Sequence, residues 1–544
     1  MMSMTSDRSV TCVVATLAVV GAAMPAAQQD RPSFRSGARL VEVSVVVTDR
    51  DRNPVTGMTA NDFQILDNGK PHTVALFWIE GEGSSPAAPR STTPPPRLPR
   101  EFSNRLADTG GVTIILFDQL NTPSGPKMRA RDQIVRFLEQ IRPDDRVGLY
   151  ALTGDGTLRV LHDFTSEATS LVRAVSRLRG NVSPALAATE DGERLDREIE
   201  DVLGTETGIV RATGTGESGG TAIMKHFQGS RAVATIDALE SIGRHLSGVR
   251  NRKNLIWVSA AFPLVAFDYR GRSKTGEINR ATRALNDANV ALYTVDARGL
   301  LPALTGVPGQ QTFTTLSMVA GSQDILRSLA EDTGGRAFLN TNDIHGAVRR
   351  AADDARLTYV LGYYPTNDVW DGRFHRIGVK VNRPGLEVRH RTGYFAVATQ
   401  EQASAQRSAA LQSAVSSPID AAGLGLTLRV DPVEGKPSDY RLTVRVEPGG
   451  IALEPAGEEW HGAIDVVVAQ VRADGAEGRS LDHTVNIRAS GERLQQFQRD
   501  GTTFTHTVTL NPDAERLRVI VRDVRTGTLG AVGVSREQLQ NLAR

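Results

Sequence analysis

A carboxylate, an amide and a hydroxyl, Asp118, Asn121 and Thr122, follow one another closely at the end of the apolar run GVTIILFDQLNT (Gly111–Thr122). Side chains of this kind present oxygens and an amide to a ligand. The run Val112–Phe117 shows no polar alternation, which suits a strand covered on both faces, as in a parallel sheet with helices above and below. In open α/β sheets ligands bind outside the carboxyl ends of the strands, so these three residues are expected where a ligand would sit. Asp296 closes a similar run, ALYTVDARG (Ala291–Gly299), and is the fourth candidate.

Covalent or hydrolytic chemistry finds no such footing. The chain has no HExxH, no P-loop and no G-x-S-x-G following a strand, as a nucleophile elbow requires. His162, His226, His245 and His375 are scattered without ligand spacing and read as surface or core histidines. Gly214-Thr215-Gly216-Glu217-Ser218-Gly219 matches the dinucleotide pattern GxGxxG, yet no convincing strand precedes it and no acidic residue ends a second strand beyond it, so a flexible surface loop is expected. DRDRN (Asp49–Asn53) mimics the start of a calcium loop, but Pro54 stands where that loop needs glycine, and a solvated hairpin turn is expected. Tyr359, Tyr363, Tyr364 and Trp370 are expected to pack the strand that holds them against the hairpin that follows, rather than to form a recognition patch.

Elements able to position the candidate residues recur along the chain. MRARDQIVRFLEQI (Met128–Ile141) carries apolar residues at helical spacing, and RVGLYALT (Arg146–Thr153) is a strand. Gly154-Asp155-Gly156 then turns the chain into TLRVLHDF, an antiparallel partner. The helix Arg231–Leu246, the strand NLIWVS (Asn254–Ser259), the helix INRATRALNDANV and the strand ending in Asp296 follow. Two more helix–strand units, DILRSLAEDTGG with RAFLN and IHGAVRRAADDA with LTYVLGYY, complete the series. Such alternation predicts a doubly wound α/β, Rossmann-like sheet with one antiparallel strand.

These residues resemble a family. The Asp-x-x-x-Thr ending of the first strand, the hairpin after the first helix, Gly219-Gly220-Thr221 before a helix, and the phrases RKNLIWVS and LYTVDARG together resemble a von Willebrand factor type A (VWA) domain. More narrowly they resemble the VWFA-related type frequent in secreted proteins of Acidobacteria, through the flank Val45–Val74 and the tail Tyr359–Ala396 as well. The resemblance implies a Mg²⁺ site at the carboxyl edge, built from Asp-x-Ser-x-Ser, a loop threonine and an aspartate ending the fourth strand. Asp118 and Thr122 match its first and last positions, and Thr221 is the candidate loop threonine. Leu120 replaces the middle serine, and Ser259 or Ala260 stands at the aspartate position, so the second carboxylate is missing. A degenerate site with one anionic ligand would hold strongly hydrated Mg²⁺ weakly. Asn121 is a substitute oxygen, and Asp296 a source of outer charge.

Length and composition set the frame. The chain's 544 residues leave room for several domains, and 63 basic against 62 acidic residues give a formal charge of +1, no field to recruit nucleic acid. Arg8, the apolar stretch Val10–Met24 and Ala26-Ala27 read as a secretory signal, residues 1–27, with no transmembrane segment left after cleavage. The sole cysteine, Cys12, falls within it, so no disulfide is expected. The expected organisation is a small β module at 34–80, a Pro/Ser/Thr-rich linker at 81–108 and the VWA-like α/β domain at 109–365, with a Gly-rich insertion at 181–229. A β-hairpin extension at 366–398, a linker or short helix at 399–422 and a β-sandwich at 423–536 follow. The expected function is noncatalytic: a secreted or cell-envelope protein, periplasmic or exported, binding a protein or cell-surface macromolecule through the loops of the VWA-like edge. The alternatives are a secreted hydrolase or carbohydrate-active enzyme with an unrecognised site, or a structural envelope component.

Overall fold

The apolar runs become strands buried along their whole length, beginning with Val112–Asp118. The computed structural model describes residues 40–81, 100–105, 112–178, 219–262, 275–300, 310–365, 371–397 and 404–542, apart from 144, 248, 250, 251, 261, 355, 418, 458 and 473–475 within them. The signal segment 1–27, most of the 181–229 insertion with Gly214–Ser218, and Trp370 lie outside the described residues.

Six strands form the α/β sheet in the order Ala337–Phe338, Val290–Asp296, Lys253–Ser259, Val112–Asp118, Arg146–Leu152, Leu158–Thr165. All pairs are parallel except the last, where Leu152 faces Leu158 across the turn in which Gly156 takes φ +82°. Helices cover both faces because each strand alternates its side chains between them. Ile114, Leu116, Leu255, Trp257 and Leu292 pack with Ile236, Leu239 and Leu285 of the helices Gly219–Leu246 and Thr275–Asp287. Ile115, Phe117, Ile256, Val258 and Tyr293 pack on the other face with Ile134 and Phe137 of Ser124–Leu138 and Val348 of Ile344–Asp353. From Val112–Asp118 the chain winds one way to Leu158–Thr165, then returns to Lys253–Ser259 on the opposite side and winds the other way. The reversal falls between the strands ending in Asp118 and Ser259.

Leu357–Tyr363, expected as the last strand of the 109–365 domain, is not in this sheet. It pairs antiparallel with Val41–Thr48 and Leu76–Gly81. The 34–80 segment, this strand and the 366–398 hairpin make two four-stranded sheets, the second joining Gly393–Val397, Asp371–Val381, Phe63–Asp67 and Lys70–His72. Val43, Val45, Ile65, Tyr359, Leu361 and Tyr363 form their shared core. A strand buried on both faces reads alike in either sheet; only its partners decide. Tyr363 and Tyr394 donate to the buried Asp67 at 2.9 and 3.1 Å. The DRDRN segment is a turn, Asn53 N donating to Asp49 Oδ1 at 2.8 Å.

Beyond it, Thr502–Thr509, Lys436–Val446, Leu426–Val433 and Glu101–Ser103 make one sheet. Glu454–Ala456, Glu459–Arg472, Ala514–Asp523 and Leu529–Ser535, with Glu477–Ala489, make the sheet facing it. Leu428, Leu442, Val444, Val466, Val519 and Val532 fill the space between them. The expected linker at 81–108 holds a strand, and the segment at 399–422, expected as a linker or short helix, holds a helix. Glu101–Ser103, inside 81–108, pairs with Leu426–Val433, a strand too short for a sequence pattern to reveal. Ser404–Ser416, inside 399–422, is a helix whose Leu411, Ala414 and Val415 pack on Val467 and Ile520. The Gly219–Leu246 helix meets this region at its end, His245 Nδ1 lying 2.5 Å from the Asp420 carbonyl and Arg244 Nη2 donating to Ser413 Oγ at 3.0 Å.

Candidate functional site

Asp118 ends the central strand beside the reversal, where neighbouring crossovers leave on opposite faces, the position at which open α/β sheets bind ligands. Its side chain follows Ile114 and Leu116 onto the face covered by the Gly219–Leu246 helix, and it is 0% exposed. Oδ1 accepts the Asn121 backbone N–H at 2.9 Å. Oδ2 accepts Asn121 Nδ2 at 2.9 Å, Trp257 Nε1 at 3.1 Å and Ser259 Oγ at 2.8 Å. Backbone, side-chain amide and indole N–H groups can only donate, so this arrangement suits the ionised carboxylate. Burial nonetheless pushes the Asp118 carboxyl up, opposed by the hydrogen bonds from Asn121, Ser259 and Trp257.

Asn121 passes the contact on to the helix. Its Nδ2 also donates to Thr235 Oγ1 at 2.8 Å, its Oδ1 accepts Arg231 Nε at 3.1 Å, and Thr235 Oγ1 donates to the Arg231 carbonyl at 2.8 Å. Arg231 is 5% exposed. Lys127, buried in the helix after the loop, is pushed down by burial and held up by the charge of Asp118. Thr122 Oγ1 accepts the Ala260 N–H at 3.1 Å and so ties the loop to the adjacent strand.

The other candidates lie apart from this cluster. Asp296 ends the next strand but one, opposite Ser259 in register with its neighbour. It is closed off by Arg298, whose Nε and Nη2 reach its oxygens at 2.9 and 2.7 Å, and by Gln323 Nε2 at 3.1 Å. Its charge is therefore matched locally by Arg298 rather than left to serve a cation at Asp118. Thr221 falls in the first turn of the Gly219–Leu246 helix, and its side chain lies outside the described residues. Leu120, expected to occupy a ligand position, instead packs in the core with Trp257 and Leu239.

A divalent cation at Asp118 would have to be held by this donor set. Mg²⁺ demands octahedral oxygen ligands and yields its water reluctantly. Here one carboxylate already accepts four donors, Ser259 turns its hydroxyl onto that carboxylate, Leu120 is apolar and buried, and Asn121 points its oxygen at a guanidinium. The residues present do not fit the ion. Among the described residues no 3 His, Cys, Asp or Glu side chains gather where they could share a metal.

Trp257, Thr235, Arg231 and Lys127 were not among the sequence candidates, and Ser259 entered only as a residue standing where an aspartate is missing. A signal existed for some: Trp257 and Ser259 lie two apart on one strand face, and Arg231 and Thr235 four apart on one helix face.

No protein-family model matches the sequence, and no curated protein matches it. Solved structures give partial similarities. An aerotolerance-related membrane protein from Bacteroides fragilis is 11% identical over 45% of this chain and 98% of its own, with a TM-score of 0.25. The ArnB paralog VWA2 from Sulfolobus acidocaldarius is 8% identical over 92% of this chain and 75% of its own, TM-score 0.21. The type V pili tip protein Mfa5 from Porphyromonas gingivalis, as its three N-terminal domains, is 10% identical over 85% and 77%, TM-score 0.20. The fold described above rests on the strand order and registers of this chain. Among the described residues no helix is long and apolar enough to cross a membrane.

Proposed function

We propose that this chain is a VWA-like, noncatalytic binding protein of the cell envelope or exterior, which holds a protein or other macromolecular ligand at the carboxyl edge of its α/β sheet, flanked by a β module and a β-sandwich. One observation carries the reading. At the sheet edge where an α/β protein does its work, the two described strand-end carboxylates are saturated by the chain's own donors, Asp118 by Asn121, Trp257 and Ser259, and Asp296 by Arg298 and Gln323. A general acid or base needs a proton site within reach of substrate, and a nucleophile needs a base beside it. Groups so committed offer a shaped surface instead. Exposed side chains follow both strand ends in the chain: Met128 is 68% exposed in the helix after the Asp118 loop, and Leu300 is 60% exposed just past Asp296. The resemblance of the strand-end phrases to VWA domains and the apolar amino-terminal segment support the placement outside the cytoplasm.

The test uses mature protein immobilised against an envelope extract, followed by binding of the captured partner in purified form. Met128→Glu and Leu300→Asp should each weaken that binding at least about tenfold, as expected of contacts near an interface centre. Binding indifferent to both, or turnover of a peptide or polysaccharide substrate, would replace the reading with another.

A further inference from the structure

Arg252 is 3% exposed and immediately precedes the strand Lys253–Ser259, at the end of the sheet opposite Asp118. Its guanidinium is held by neutral oxygens: Nη2 donates to the Gly334 carbonyl at 2.6 Å and to Tyr293 Oη at 3.4 Å, and Nη1 to the Ser44 carbonyl at 3.5 Å. The Glu80 carboxylate takes its backbone N–H, at 2.9 Å. Arg391, from the β module, is held alike, Nη1 donating to the Asn286 carbonyl at 3.1 Å and Nη2 to the Glu42 carbonyl at 2.8 Å. Among the described residues neither guanidinium is ion-paired with a carboxylate, whereas the buried Arg518 and Arg522 have Asp420 and Asp465. Carbonyls satisfy N–H groups but leave the charge, and a buried charge without a counter-charge is costly. Burial pushes the Arg391 guanidinium down, and the charges of Asp287 and Glu42 oppose this from beyond contact.

Both arginines line one cavity with Ser44, Asn286, Asn289 and Thr333, large enough for a single water-sized guest. It lies where the strand Val41–Thr48 of the β module meets the α/β domain. Three polar atoms on its lining residues, Arg252 Nε, Arg391 Nε and Ser44 Oγ, are buried without a hydrogen-bond partner among the described residues. A water molecule offers two lone pairs to three such donors and brings two protons that need acceptors of their own. A halide ion accepts from all three, brings no proton and lies between two like charges that would otherwise repel. The space suits a monatomic ion rather than sulfate or phosphate.

We propose that the cavity between Ser44, Arg252 and Arg391 binds one small anion of halide size, which bridges the two guanidinium groups and fastens the β module to the amino end of the α/β sheet. This site is independent of the ligand-binding role proposed above.

Two measurements on the full chain test it. Crystals grown in sodium bromide should show an anomalous scattering peak in the cavity, in contact with Arg252 Nε, Arg391 Nε and Ser44 Oγ. In solution at fixed ionic strength, replacing gluconate, which is too large for the space, by chloride or bromide should raise the thermal midpoint by about 3 °C or more. Arg252→Met and Arg391→Gln should each lose that rise. Ser44→Ala removes one donor, keeps both charges and should shift the halide dependence to about fivefold higher concentration, a readout that holds where an arginine variant fails to fold. An ordered water with no anomalous signal, a midpoint indifferent to halide, or a rise that survives the arginine substitutions would overturn the proposal. So would a bromide peak with no change of midpoint, which means binding at crystal concentration only.

Discussion

Lys253 opens the strand that ends in Ser259 and is 2% exposed, its Nζ donating to the Val249 carbonyl at 2.6 Å. Burial lowers its pKa from 10.5 to about 7, against the attraction of Glu80 and Glu42. The folded state therefore disfavours the charged amine, and the unfolded chain binds more protons wherever the pH lies between those values. Stability must rise with pH across that window, the reverse of a salt-bridged lysine. From pH 7.5 to 9.5 the two values give a gain of about 2.5 kcal/mol, an order-of-magnitude figure for one group. The histidines whose values shift, His245, His390 and His506, move down, away from this window. The buried tyrosines move up, out of its other side. Denaturant unfolding of the unmodified chain and of Lys253→Met at several pH values isolates the effect. The stability of the unmodified protein minus that of Lys253→Met should rise steadily from pH 7.5 to 9.5, whatever the absolute cost of losing the Val249 contact. Parallel pH curves would refute the reasoning and show that Glu42 and Glu80 hold the amine charged in the fold.

Three further outcomes are expected. Leu120→Ser removes a core leucine and buries a hydroxyl in its place, so calorimetry should show a loss of about 2–4 kcal/mol; an unchanged transition would mean the side chain does not sit in the core. Gly335→Ala would set a Cβ 2.0 Å from the Leu292 carbonyl oxygen and should destabilise the sheet strongly, while Gly229→Ala, with nothing within 4 Å and inside a helix, should be neutral or stabilising in the same melts. Limited proteolysis should spare Ser404–Ser416, since Leu411, Ala414 and Val415 fasten that helix to its sheet; an early cut there would mean the helix does not dock.

The legible part of the sequence was local. Unbroken apolar runs gave Val112–Asp118, Lys253–Ser259 and Val290–Asp296, and Gly154-Asp155-Gly156 gave the antiparallel turn, because burial on both faces and a left-handed glycine leave direct marks on residue types. Partnership left no such mark. Leu357–Tyr363 has the composition of a central parallel strand, and only its antiparallel register with Val41–Thr48 assigns it elsewhere. Glu101–Ser103 is ordered by a strand more than three hundred positions away, through Asn104, which bonds Ala421, Leu424 and Leu426. The site divides the same way. Asp118, Asn121 and Thr122 were readable as strand-end residues, but Leu120 was read as facing a ligand because spacing within a loop does not tell which side chain turns inward. Arg231 was invisible as a partner, since nothing in a helix's own periodicity names the loop it meets.

The placement of these groups bears on what the edge can do. A buried polar network whose members are all satisfied is rigid, and low dielectric makes any rearrangement of it costly. Asp118, Asn121, Thr235 and Arg231 form one such network at the point where the winding of the sheet reverses. A reactive site would need at least one of these groups to release its partner and face substrate, which means stranding a charge with several kcal/mol against it. A recognition site needs nothing of the kind. It requires that the loop bearing Thr122 keep its place against Ala260 while exposed neighbours such as Met128 and Leu300 meet a partner. Under the binding function proposed above, rigidity beneath, with adaptable side chains above, would lower the ordering cost of association.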